Sequence, residues 1–177
     1  MSTFLCLAQV CSMPCQLKEQ LVRTTHNLLR DMGGNFPLEC LQDNVFMAFP
    51  ATAFATSGAP QLSSSGVKSI YETLKNIDSL FGVDDLPTMW DQQKLEYFQN
   101  IIYRQIEESK CMMGSVDTRD YLVWAKVLKT YFGNIAEVLK EKNFSYCAWE
   151  VVRKELLYTL QFILEHNSDS LLWSNRT

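Results

Sequence analysis

The chain has 177 residues, of which 47% are apolar and 20% charged; that is enough for one domain with a substantial core, and too apolar for a disordered polymer. A formal net charge of -4 argues against a dedicated nucleic-acid binder, which needs a basic face. No run approaches the roughly 18 uninterrupted apolar residues of a membrane span, and scarce glycine and proline (seven and five) favour long helices over a many-turned β fold.

The opening residues MSTFLCLAQVCS hold a short apolar run, Phe4 to Val10, followed by small residues at Cys11 and Ser12. Residues 1–12 read as a truncated or atypical signal peptide, because no Lys or Arg precedes the run. A disordered tail is the alternative reading. Residues 13–177 read as a single helical domain. From Cys15 to Met32, Leu17, Leu21 and Leu28 recur at helical spacing, flanked by Val22 and Leu29, and Gly33-Gly34 stops the run. A long connection then spans about Asn35 to Ser65, with Pro37, Pro50 and Pro60. Its Phe36, Leu41, Phe46, Phe49 and Phe54 predict that it packs down on the helices.

The second helix is expected from Val67 through Ile70, Tyr71, Leu74 and Ile77 to Phe81, with serines ahead and Gly82 behind. The third starts at Thr88-Met89-Trp90-Asp91, a capping-box-like pattern after Pro87, and runs to about Ser109. The fourth begins near Asp117 and carries Trp124, Leu128, Tyr131, Ile135 and Val138 to a polar stop at Glu141-Lys142-Asn143. The fifth opens at Ser145 and presents Trp149, Val152, Leu156, Leu160 and Ile163 as its apolar seam. These patterns predict an all-α fold, a bundle of five main helices with a long first crossover. A crossover of that length permits the up-up-down-down order of cytokine-type bundles.

Catalytic patterns are missing from the sequence. There is no phosphate-cradling glycine loop and no GxSxG. The two histidines, His26 and His166, have no orienting carboxylate motif, and Cys147 has no partnering base. Cys6, Cys11 and Cys15 cluster without a fourth ligand, so no metal or cofactor is expected. The reading is therefore not an enzyme. Cys15, Cys40, Cys111 and Cys147 each fall at a helix end or in a connection, where two bridges can form. Three pairings are open, and unpaired thiols in an intracellular protein remain the alternative. Asn143-Phe144-Ser145 and Asn175-Arg176-Thr177 are glycosylation sequons, the first in a predicted turn.

The run YFGNIAEVLKEKNFSYCAWEVVRKEL, Tyr131 to Leu156, resembles the closing helices of type I interferons, and CLQDNVFMAFP, Cys40 to Pro50, is similar to that family's cysteine-containing first connection. Retention of four bundle cysteines resembles the teleost four-cysteine group. The resemblance implies the pairings Cys15–Cys111 and Cys40–Cys147. It also implies a secreted, extracellular antiviral cytokine; the oligomeric state is left open, with a monomer favoured. Such a cytokine bridges two different chains of a class II cytokine receptor and triggers JAK-STAT signalling, with neither nucleic acid nor membrane insertion involved. By motif, the implied receptor contacts are Leu41, Asn44 and Phe49 in the connection and Arg153, Lys154, Leu157, Tyr158 and Gln161 on the fifth helix. Asn44 and Tyr158 stand where the family commonly has basic residues, so the hot spot is expected to lean on Arg153, Leu157 and Tyr158. Arg153→Ala is expected to spare the fold. The rival reading is an intracellular helical interaction module without cytokine activity.

Overall fold

The computed structural model describes residues 17–54, 62–115 and 118–166. They form five helices: α1 (Glu19–Asp31), α2 (Leu62–Leu80), α3 (Gln92–Ser109), α4 (Thr118–Glu141) and α5 (Tyr146–His166). Short 3-10 turns lie at Leu38–Asp43, Ala51–Phe54 and Lys110–Ser115, and no strand occurs among the described residues. The expected leader, Cys6, Cys11, Cys15 and Asn175 lie outside the described residues.

Local chemistry accounts for the helix ends. The Asp91 carboxylate accepts from the backbone N–H groups of Gln93 and Lys94, both at 3.1 Å, and so caps α3. The start therefore falls later than the Thr88 pattern predicts. Trp90 has to stay outside the helix, because its ring is buried and its Nε1 donates to Glu150 Oε1 at 2.8 Å. Ser145 Oγ accepts from the N–H of Ala148 at 3.2 Å and caps α5. Between α4 and α5, Asn143 and Phe144 both have a φ of 53°. That left-handed pair lets the Phe144 N–H reach back to the Leu139 carbonyl at 2.8 Å, closing a tight reversal. The α2 helix begins at Leu62, one turn earlier than the apolar periodicity predicts.

The principal contacts form a closed ring: α1 packs on α3 and α5, α2 on α3 and α4, and α4 on α5. The long connection crosses this ring. Its first 3-10 turn lies on α5 and its second on α2 and α4, where Ser69 Oγ donates to the Ala53 carbonyl at 2.6 Å. At one end of the bundle Trp149 sits between Phe81 and Trp90, with ring centroids 5.4 and 5.9 Å away. Its Nε1 donates to the Asp85 carbonyl at 3.0 Å, so the indole is buried without an orphaned donor. The Asp91 N–H donates to the Met32 carbonyl at 3.0 Å and fastens the end of α1 to the start of α3.

The α5 helix is not a one-sided amphipath. Every residue from Ala148 to Arg153 is buried, and so are Glu155 and Leu156. A helix buried on most of its circumference belongs to the middle of a bundle. That placement decides the roles of its charged residues.

Candidate functional site

Two segments far apart in sequence share one face of the molecule: residues 38–49 and the outer strip of α5. Two attachments hold them together, and a third ties the loop to the α4–α5 turn. A disulfide joins Cys40 to Cys147 across 107 residues of sequence, with Cα atoms 5.1 Å apart. Lys142, just after α4, pairs with Asp43 at 3.0 Å. Lys154 Nζ donates to the Asn44 side-chain oxygen and, at 3.1 Å, to the Val45 carbonyl. The ion pair is partly exposed and contributes only about 0 to 1 kcal/mol. The disulfide contributes most, about 4 to 5 kcal/mol in the chain-entropy account of a loop this long.

Past these ties the connection is clamped by aromatic packing. The Phe49 ring stacks on Phe54 at 5.7 Å and meets Tyr131, Tyr158 and Phe162 at 5.7, 5.1 and 4.9 Å. Phe49 is thus a pin between the loop and α4 and α5, half-buried in the face. Beneath it the Tyr131 hydroxyl donates to Glu155 Oε2 at 2.6 Å. Burial, helped by that carboxylate, drives the phenol's pKa far above its usual range, so it stays a protonated donor.

What faces outward is mixed and mostly uncharged. Leu41 and Tyr158 are each 56% exposed, and Leu157 is half-buried against the core. Gln161 is exposed and bonds Glu165 one turn on. Asn44 and Lys154 are half-buried and spend their polar groups on each other. The structure therefore gathers Leu41, Asn44, Lys154, Leu157, Tyr158 and Gln161 along one strip.

Two expectations are corrected. Arg153, expected on the surface beside the seam, is only 3% exposed. Its guanidinium pairs with Glu150 at 2.8 Å and donates to the carbonyls of Leu29, Arg30 and Gly34, the open C-terminal end of α1. It is therefore spent on the bundle and unavailable to a partner. The cause is the burial of α5 on most sides, which periodicity along one helix does not reveal. Phe46, expected to pack down, is 93% exposed. The next residue, Met47, packs against the core in its place, and adjacent side chains of a non-helical segment do not share one side. Glu150 went unnoticed in the sequence, although a Glu and an Arg three apart within an apolar helical run signal a buried pair.

Cys111 is also disulfide-bonded, while Cys15 lies outside the described residues. Asn143 is exposed at its tight reversal. Among the described residues no group of His, Cys, Asp and Glu is set to hold a metal, and no helix is long and apolar enough to cross a membrane.

A helical bundle with a long crossover bridged to its closing helix is an architecture that helical cytokines use. The interferon alpha/beta domain family matches residues 15–169. Human interferon alpha-7 is 28% identical over 166 residues, covering 86% of this chain and 84% of its own length. Horse interferon alpha-1 is 29% identical over 161 residues, covering 84% of each. Among solved structures, zebrafish interferon 2 has a TM-score of 0.79 at 39% identity, covering 85% of this chain and 99% of that one. Zebrafish interferon 1 shares the fold, with a TM-score of 0.67 at 23% identity over 85% of this chain and 94% of that one. The chain belongs to the type I interferon family. It is a cytokine and not an enzyme, and the family's partners are class II cytokine receptors.

Proposed function

We propose that this chain is a secreted antiviral cytokine that bridges two different class II cytokine receptor chains and triggers JAK-STAT signalling. One chain is engaged by the loop–α5 face, through Leu41, Leu157, Tyr158 and Gln161; the other binds elsewhere on the bundle. The observation that carries this reading is the fixing of residues 40–49 onto the last helix of an interferon fold. A preorganised apolar strip of that kind spares the ordering penalty that a free loop pays on binding. The same reading makes residues 13–177 the cytokine domain, monomeric in solution, with residues 1–12 as leader. It pairs Cys15 with Cys111, and places a glycan on Asn143 and a second sequon at Asn175.

The test is a signalling assay with the disulfide-bonded protein on cells of the species that encodes it. STAT phosphorylation at nanomolar protein and protection from a viral challenge are expected. Tyr158→Asp, which puts a charge into the strip, is expected to reduce potency by about tenfold or more at unchanged melting temperature. A protein that neither binds nor signals on those cells overturns the reading.

A further inference from the structure

Among the described residues, the most exposed large apolar side chain lies on the face just described. Phe46 is 93% exposed. Lone exposed apolar residues are common and need no explanation, but the backbone that carries this ring is held on both sides. Met47 packs against the core, and the Val45 carbonyl accepts from Lys154 at 3.1 Å. The Lys154 ammonium lies 5.7 Å from the Phe46 ring centroid, in cation–π range. That ammonium has no spare charge to offer a partner, since it also bonds Asn44 and lies 3.4 Å from Glu155. Four residues further along α5, on the same helix face, stands the exposed ring of Tyr158.

We infer that Phe46 is the apolar anchor of the receptor contact and that Lys154 is its positioning residue rather than a contact in its own right. The inference rests on the reading that the loop–α5 face binds a receptor chain. It adds the chemistry of the partner: an extracellular domain presenting an apolar pocket able to take an aromatic ring. An exposed aromatic on a held backbone, beside other apolar side chains, is the kind of residue that dominates an interface.

The experiment uses the full, disulfide-bonded chain, fluorescently labelled, titrated onto cells of the source species and read by flow cytometry. Phe46→Ala is expected to weaken binding by about tenfold or more at unchanged melting temperature. Met89→Ala, which removes another exposed apolar side chain (73% exposed) ahead of α3, is expected to bind as the wild type does. Lys154→Met is expected to weaken binding several-fold in the native background and not at all beside Phe46→Ala, because it acts through the ring. Independent, multiplying losses would overturn the positioning role, and wild-type affinity in Phe46→Ala would overturn the anchor. In either case the receptor reading survives if the wild-type chain binds and signals; it falls only if that chain does neither.

Discussion

The last carbonyls of a helix have no intrahelical donor and carry the negative end of its dipole. Arg153 meets that need at the end of α1, and Glu150 balances its charge. A buried pair contributes little net stability over an apolar substitute, but removing one partner strands the other. Arg153→Ala is therefore expected to destabilise the fold by about 3 to 5 kcal/mol, measured by denaturant unfolding. Arg153→Lys should recover only part of this, since an ammonium lacks the guanidinium fork. A methyl group at Gly33 would lie 2.7 Å from the guanidinium carbon. Gly33→Ala is thus expected to displace Arg153 and lower stability by about 1 to 3 kcal/mol, the usual range for overpacking. None of this was legible at Arg153 alone. A cation beside an apolar seam reads as a surface group until the packing of α1, α4 and the long connection around α5 is known.

At the scale of elements, the helices were legible because each carries its own periodicity and, for α5, its own cap at Ser145. The connection was legible only as a long apolar crossover. Its alternation of inward and outward residues depends on what α5 and α4 offer it, so Phe46 and Phe49 look alike in sequence and do opposite things. The disulfide gives this element its place. Cys40→Ser with Cys147→Ser is expected to keep the helical circular dichroism and lower the melting temperature. Amide exchange at residues 41–47 is expected to rise sharply, which hydrogen-exchange mass spectrometry reads directly. Ser145→Asp supplies a second check on a single element. It destroys the Asn143 sequon while keeping an acceptor at the cap of α5. Loss of one glycan from secreted protein, with the melting temperature little changed apart from the glycan's own effect, is the expected outcome.

For the molecule as a whole, acid sensitivity begins at one histidine. His26 is half-buried on α1, and burial is the main cause that lowers its pKa below the ordinary value. Arg30 and Arg23 push the same way, while Asn27 and Asp31 oppose. A base with a depressed folded pKa binds fewer protons folded than unfolded, so its contribution is complete above about pH 6.5 and falls as pH drops toward the folded value. Melting temperature is expected to decline from pH 7 to 5.5 in the native chain and less in His26→Gln. Asp91, whose pKa is lowered by the backbone donors it caps, adds its loss only at more acidic pH. The global architecture was legible through the family resemblance of two runs, residues 131–156 and 40–50. Spacing alone left three cysteine pairings open, because it carries no distance between helices. The crossover has a further consequence, in time. Residues 38–49 are made early and dock on α5, the last of the described helices to leave the ribosome. Until Cys147 has emerged the loop lacks its disulfide partner, and until Phe162 has emerged its aromatic bed is incomplete. The outward strip is thus the last region to mature, and a chain cut short before α5 has no such strip at all.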